Sequence, residues 1–340
     1  MILGGDVGGT KCNLALFDER CGALVEGPSH RFPSRDYSRF EDVVSEFVST
    51  VARPRGARIT AAGFGVAGPV HDGVVVATNL PWHVDAKSLA ALLRLPRVAM
   101  LNDLEATAEG IAALGPGDFE TLNAGAPGAH GMQAVIAAGT GLGEAGLYWN
   151  GSKHRPVPSE GGHSDFAPRN ELEDALLVYL RGRFGGHVSW ERILAGPGVR
   201  NLYEFLRDTG RGTEEPWLRE AMEKDDPSAV ISRSALENKS PLCVAALDLF
   251  VSIYGAEAGN VALKFLATGG LFIGGGIAPK ILAKLRGPAF MDAFLAKGRL
   301  RPVLEKIPVR VILNDNTALF GAARSAAGMI SSISPEERNR

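Results

Sequence analysis

Glycine, aspartate and threonine stand together at two places in the chain. One is Gly4-Gly5-Asp6-Val7-Gly8-Gly9-Thr10; the other, roughly 130 residues further on, is Gly139-Thr140-Gly141-Leu142-Gly143. Glycine has no Cβ, so backbone N–H groups in such runs can come close to a ligand. Consecutive N–H groups in a turn form a concavity that attracts anions, phosphate above all. Asp6 could hold a hydrated Mg²⁺, and the Thr10 hydroxyl could donate to a phosphate oxygen. An ordinary tight hairpin is the bland reading of the first run; its glycine density favours phosphate. Asp103 is the candidate general base. It follows the strand-like run Val98–Leu101, where a helix starts, the usual place for reactive groups in α/β folds. A carboxylate there can accept a hydroxyl proton or cap the helix, and on position alone the two readings stand even. Ser159-Glu160-Gly161-Gly162-His163 is a loop rich in hydrogen-bonding groups.

The surrounding pattern says which elements must position these groups. Ile2–Leu3 and Asn13–Phe17 are extended apolar runs on either side of the first glycine run, so they read as a β-hairpin. Gly22–Phe32 reads as a further strand. Apolar residues at Phe40, Val43, Val44, Phe47 and Val51 have helical spacing. Ile59–Ala67 is a buried strand, Asn79–Trp82 a loop, Ala86–Leu93 a short helix, and Leu104–Leu114 the helix after Asp103. Alternating strands and helices indicate an α/β unit. Val135–Ala138, the second glycine run and Ala145–Trp149 then repeat the opening design of strand, glycine turn and strand, which suggests a duplicated architecture with each half supplying one jaw around a nucleotide. Glu171–Arg183 is an amphipathic helix, and Ser189 is placed to cap another. Arg207–Ser228 reads as a solvated excursion, Pro241–Leu266 as a long apolar helix, Leu271–Ile273 as a strand before Gly274-Gly275-Gly276, and Val309–Leu313 as a strand leading to Asn314-Asp315-Asn316. Ala318–Ser325 closes the pattern as a small-residue helix, with a polar end from Ser331 expected to fray.

Two better-known phosphate motifs are excluded. A Walker A loop needs G-x-x-x-x-G-K-S/T; Gly4 and Gly9 have the glycine spacing, but Thr10 stands where lysine should be and a strand follows. Gly63-Phe64-Gly65-Val66-Ala67-Gly68 is a literal G-x-G-x-x-G, but a dinucleotide site needs a helix to open there. Pro69, Asp72, Gly73 and the β-rich Val74–Val76 turn the chain back as another strand.

The length, 340 residues, suggests about two domains. Glycine, 42 of 340 and so about 12%, exceeds the usual ~7% and is concentrated in a few turns. A net charge of −2 with no long basic run points away from nucleic acid and anionic membranes. Three scattered cysteines (Cys12, Cys21, Cys243) fit a reducing cytosol and form no cysteine zinc site. The first residues carry neither a charged n-region nor a long apolar h-region, so no export signal is expected. Pro241–Ala278 is apolar but interrupted by Asp248, Glu257 and Lys264, a buried core rather than a membrane span.

In order along the chain, GGDVGGT (4–10), LNDLEA (101–106), GTGLG (139–143), SEGGHSDFAP (159–168), SWERILAGPG (189–198), GGLFIGGGIAP (269–279) and NDNTALFGAA (314–323) resemble the bacterial glucokinase family of the hexokinase/actin-type ATPase superfamily. Single motifs are weak; the ordered set is highly specific and covers nearly the whole chain. Two departures stand out: Glu144 after GTGLG, where a small or apolar residue is expected, and Lys11 after the first loop, where Asn is frequent. Sugar kinases of the repressor/open-reading-frame/kinase type share the fold and both loops but usually carry a Cys-rich zinc motif, which is missing between Cys21 and Cys243. A non-catalytic sugar sensor on the same fold is the other alternative.

The resemblance implies an α/β, two-domain hexokinase/actin-like (ribonuclease H-like) fold with duplicated sheet-and-helix halves and an interdomain cleft. It implies a small domain of residues 1–113 plus 316–332 with the first phosphate loop and the base, a large domain of 114–315 with the second loop and the sugar and adenosine contacts, and a frayed tail at 333–340. The implied reaction is ATP-dependent phosphorylation of D-glucose at O6 (ATP:D-glucose 6-phosphotransferase), the cytoplasmic entry step of glycolysis, with ATP and Mg²⁺, and a homodimer by family habit. The implied roles are Asp103 as base and Asn102, Asp103, Glu160, His163, Glu191 and, more weakly, Asn79 on the sugar. Gly5, Asp6, Val7, Gly8, Gly9 and Thr10, with Gly139, Thr140, Gly141 and Gly143, take the phosphates. Gly274, Gly275 and Gly276 lie flat against adenosine, Asp315 supports the phosphate–metal region, and Asp6 places Mg²⁺ through water. With the resemblance in hand, catalysis outweighs capping at Asp103. Sugar binding that closes the cleft and excludes water would hold ATP hydrolysis down.

Overall fold

A computed structural model describes residues 1–20, 23–77 and 80–331. Asn79, Cys21 and the tail 333–340, named above, lie outside the described residues. The chain divides into unit 1, Met1–Pro116 with Asn314–Arg340, and unit 2, Gly117–Leu313.

In unit 1 a five-stranded sheet has the order β3-β2-β1-β4-β8. β1 is Ile2–Val7, β2 Lys11–Arg20, β3 Ala23–Pro33, β4 Ala61–Val66 and β8 Ala99–Asn102; β5 (Val70–His71), β6 (Val74–Val76) and β7 (His83–Asp85) form a small second sheet. β1 pairs antiparallel with β2 and parallel with β4, and β4 pairs parallel with β8. Parallel strands require both faces covered, and the alternation along β2 shows how. Leu14 and Leu16 join one core with Phe40, Val43, Val44 and Phe47 of helix α1 (Phe40–Phe47) and Leu89 of α2 (Ala86–Leu93). Ala15 and Phe17, one residue out of phase, face the opposite side. Val51, expected in α1, falls instead in a wider turn, Val48–Ala52. The literal G-x-G-x-x-G ends in a hairpin whose two turn residues, Asp72 (φ +50°) and Gly73 (φ +79°), have the left-handed backbone of a type I′ turn. No helix opens there, as expected. α3 is Asp103–Ile111.

Unit 2 repeats the plan. Its sheet has the order β12-β11-β10-β13-β14-β9, from β9 (Phe119–Asn123), β10 (Gln133–Ala138), β11 (Leu142–Trp149), β12 (His154–Pro158), β13 (Gly270–Gly274) and β14 (Val309–Ile312). As in unit 1, three antiparallel strands are followed by two parallel additions. Its core gathers α4 (Glu171–Phe184), α5 (Gly196–Asp208), α6 (Pro216–Lys224), α7 (Pro227–Leu236) and α8 (Pro241–Lys264). Three further helices, α9 (Leu282–Leu285), α10 (Pro288–Leu295) and α11 (Arg301–Leu304), lead to β14. Arg207–Ser228 is therefore not a solvated excursion. Pro216 starts α6, and its charged residues hide one inward position, Leu218, which is fully buried. Nor does Ser189 cap an α-helix; it precedes a single 3₁₀ turn, Trp190–Arg192, without a side-chain cap bond.

α12 (Thr317–Ser331) returns to unit 1, where Leu319, Ala323 and Ala326 cover the Ala15/Phe17 side of the sheet. It meets α3 backbone to backbone: a Cβ at Gly321 would fall on the Ala106 carbonyl, and one at Gly110 on the Thr317 carbonyl.

Candidate active site

In unit 1, Gly4 and Gly5 lie inside β1 rather than in the turn, and none of Gly4, Gly5, Gly8 or Gly9 has a left-handed φ. Gly5 is glycine because a Cβ would enter the Phe64 ring. The turn itself is Gly8-Gly9-Thr10. The Gly8 N–H donates to the Lys11 carbonyl (3.0 Å), and Ser34 braces the turn from β3's end, its Oγ donating to the Gly8 carbonyl at 2.7 Å. Val7 is buried just before it, pairing with Cys12.

Asp6 pairs with Asn13 across the hairpin. Asn13 Nδ2 donates to Asp6 Oδ2 at 3.3 Å, and Arg31 Nε on β3 donates to Asn13 Oδ1 at 3.0 Å. Burial pushes the Asp6 carboxyl up to about 6; the Asn13 bond opposes this, the Asp103 charge adds to it, and Lys11 and Arg31 oppose it. Asp6 and Asp103 thus feel each other's charge.

Asp103 is the first residue of α3, and the cap is its neighbour. Asn102 Oδ1 accepts the Glu105 N–H at 2.5 Å, while Glu105 Oε2 accepts the Asn102 N–H at 2.9 Å, a complete capping box. Asn102, expected as a sugar ligand, therefore has its oxygen committed and only its amide NH₂ to offer. Asp103 stays exposed, with Oδ1 accepting the Leu104 N–H at 3.0 Å. Asp315 lies exposed in the turn before α12.

In unit 2 the second turn, between β10 and β11, is tied from three sides. The Gly139 N–H donates to the Gly141 carbonyl (2.8 Å), the Gly196 N–H of α5 to the Gly139 carbonyl (2.9 Å), and the Ile277 N–H to the Ala138 carbonyl (3.2 Å). Gly274 ends β13. Gly275 needs to be glycine for its φ of +81° and because a Cβ would strike Ala138; Gly276 has open space around it. Thr140 is exposed in the turn, and Gly143 is the second residue of β11.

Glu191 comes from the 3₁₀ turn and is not an exposed first-turn carboxylate. Its Oε2 accepts the Leu142 N–H at 3.0 Å and stands 2.5 Å from the place a Cβ of Gly141 would take. Glu160 precedes and His163 ends a second 3₁₀ turn, Gly161–His163, with exposed side chains and His163 Nε2 3.9 Å from Glu160 Oε2. His187 holds this turn from behind, Nε2 to the His163 carbonyl at 3.1 Å and Nδ1 to Asp165 Oδ1 at 2.9 Å. The Trp190 N–H donates to the Ser164 carbonyl at 3.1 Å, so the turns bearing Glu160, His163 and Glu191 form one assembly beside the 139–143 turn. Sequence reading missed Asn13, Glu105 and His187. Glu105 had a legible signal, Asn three residues before Glu at a strand–helix junction; Asn13 faces Asp6 across the expected hairpin but only the exact register shows it, and His187 had no signal, since only the meeting of separate loops gives it partners.

The family model described as Glucokinase matches residues 3–329. A glucokinase of Nostoc sp. (strain PCC 7120 / SAG 25.82 / UTEX 2576) is 41% identical over 340 residues, covering 96% of this chain and 99% of that protein. The crystal structure of a glucokinase from an Antarctic psychrotroph shares 31% identity and superposes with a TM-score of 0.83, covering 96% of this chain and 98% of the other. A ROK family glucokinase from Streptomyces griseus, in complex with glucose and AMPPNP, shares the fold at 24% identity and a TM-score of 0.66, covering 96% and 99% of the two chains.

Proposed function

This chain belongs to the glucokinase family, and we infer on that premise that it is an enzyme transferring the terminal phosphoryl group of ATP to O6 of D-glucose. Phosphoryl transfer asks the protein mainly to position the reactants and to neutralise charge on the phosphate oxygens. The observation that supports the residue assignment is the division of labour at the start of α3: Asn102 is the cap, and Asp103, exposed at the first helical position, is the carboxylate proposed to accept the proton of the attacking hydroxyl. The Asn102 amide, Glu160, His163 and Glu191 take the remaining sugar hydroxyls, which both donate and accept. Asn79 is a further proposed ligand. Backbone N–H groups of the Gly8–Thr10 and Gly139–Gly143 turns, other than those of Gly8, Gly139 and Leu142, which have acceptors within the protein, take the phosphates, and the open space at Gly276 favours a flat adenosine. Asp315 is proposed to support the phosphate–metal region.

The donors near the first turn suit Mg²⁺. Asp6 is a half-buried carboxylate in β1, two residues before the turn, and among the described residues no group of three His, Cys, Asp or Glu could cage a metal. That set fits a cation held by one carboxylate, through water, and by nucleotide phosphates. Bound there, Mg²⁺ supplies charge neutralisation on those phosphates. Cys12 and Cys243, both buried free thiols, support a reducing, cytoplasmic setting and so a role at the entry to glycolysis.

Initial rates test the reading: Mg-ATP with glucose, mannose, fructose, glucosamine and N-acetylglucosamine, and ADP or polyphosphate as alternative donors. Glucose with ATP should dominate. Another sugar winning moves the function to the broader repressor/open-reading-frame/kinase group, and folded protein that binds ATP but transfers to no sugar revives the sensor.

A further inference from the structure

Glu144, which follows the second glycine turn, is buried on β11. Its side chain runs under the loop that carries Glu160 and His163. A Cβ at Gly161 would collide with Glu144 Oε2 and stand 3.0 Å from its Cδ, so the carboxyl fills the place of a side chain at that position. The backbone is stitched at the same point: Ser159 Oγ donates to the Glu144 carbonyl at 2.8 Å and accepts the Gly161 N–H at 3.1 Å.

Below Glu144 lies a second buried carboxylate, Glu257 of α8, within hydrogen-bond reach. Both oxygens of Glu257 are supplied, Oε1 by Lys264 Nζ at 2.9 Å and Oε2 by Asn260 Nδ2 at 2.7 Å. Glu144 Oε1 is buried with no donor on it. As an anion it would be costly to bury in that state; as a carboxylic acid it needs only one acceptor, which Glu257 is. One proton between two carboxyls, with Lys264 balancing the remaining charge, satisfies the cluster.

We propose that Glu144 is a positioning residue for the sugar loop: its carboxyl, wedged between Gly161 and Glu257, sets the height and angle at which Glu160 and His163 are offered to the sugar. Burial and the Glu257 charge raise the Glu144 carboxyl to about 8, with Lys264 opposing. The groups facing it are Glu257, Lys264 and Tyr254, all from α8, with Lys297 behind them on Asn260 Oδ1. Above that pH the proton leaves, two carboxylates oppose each other, and Glu144 is driven from under Gly161. Loss of sugar affinity at alkaline pH follows. The link to sugar rests on the glucokinase reading above; the link to the loop does not.

The test compares wild type, Glu144→Gln and Glu144→Ala. Glutamine keeps the size and can donate to Glu257 at every pH; alanine empties the wedge. Glucose binding is followed by tryptophan fluorescence from neutral to alkaline pH, and amide exchange at residues 161–163 by mass spectrometry without sugar. Wild-type affinity should fall as pH rises through about 8, Glu144→Gln should bind as wild type does at neutral pH without that fall, and Glu144→Ala should bind roughly tenfold more weakly, a loop displacement of the order of 1 Å being able to cost still more. Exchange at 161–163 should speed up in Glu144→Ala. A Glu144→Gln profile that keeps the alkaline fall, or unchanged exchange in Glu144→Ala, overturns the proposal. Should alanine fail to fold, the glutamine profile alone decides. Wild type that binds no glucose overturns the function reading instead, and the exchange comparison then decides the loop.

Discussion

Glu191 Oε2 accepts the backbone N–H of Leu142 at 3.0 Å, so a proposed sugar ligand also holds the turn proposed to take phosphate. The carboxylate sits where a side chain at Gly141 would stand. Glu191→Ala should therefore raise the KM of both glucose and ATP. A hydrogen bond to a charged group is worth ~1.5–3 kcal/mol, which makes each rise on the order of 10- to 100-fold. Glu191→Gln, which can still accept the Leu142 N–H, should keep the ATP value. Steady-state kinetics with each substrate varied checks this; an alanine variant altered in glucose alone breaks the link.

Asp103→Asn should lower kcat by ~10²–10⁴ while leaving glucose binding and thermal stability close to wild type. Stability is spared because Asn102 and Glu105 do the capping. Asn102→Ala should show the reverse emphasis, costing about 1 kcal/mol of stability through the lost cap. Calorimetric unfolding alongside kcat separates the two roles.

The Asp6 carboxyl, raised to about 6, predicts an acid limb. Below that pH Asp6 takes up a proton and no longer attracts Mg²⁺, so kcat/KM should fall as pH drops through about 6. For stability the sign is opposite. Between the ordinary 3.8 and about 6 the folded chain keeps a proton that the unfolded chain releases, so stability declines as pH rises across that window. Asp6→Asn should consequently be more stable at neutral pH, by on the order of 1–3 kcal/mol, and nearly inactive. Denaturant titrations and rates on the same sample read both effects.

Gly321→Ala puts a methyl group on the Ala106 carbonyl. Overpacking of this kind costs ~1–3 kcal/mol, and here it displaces the helix that begins with Asp103. Lower thermal stability together with reduced kcat is the expected outcome. A variant that loses neither shows that α3 and α12 can separate freely.

The duplicated sheet plan was legible because each half announces itself locally, through strand, glycine turn and strand. Asp103 was singled out by its place at a strand's end; that the cap is Asn102 and not Asp103 showed only when Asn102 was seen to accept the Glu105 N–H. The glycines misled in part. Gly5 and Gly275 read as room for a ligand, yet one yields to Phe64 and the other to the Ala138 carbonyl. Those neighbours are far away in sequence, and periodicity carries no trace of them. Leu218 shows the same limit: one inward side chain among charged residues turned an apparent excursion into a packed helix.

α12 packs on α3 only after all of unit 2 has intervened in the chain. A ribosome reads in that order, so the segment bearing Asp103 leaves the exit tunnel long before the helix that covers it. Until residues 317–331 arrive, the Ala15/Phe17 side of the first sheet lacks the cover of α12, and α3, seated on β4 and β8, lacks its helix partner. A nascent chain can thus complete unit 2 while the helix bearing the proposed base still lacks its partner, and unit 1 is finished only when α12 is made.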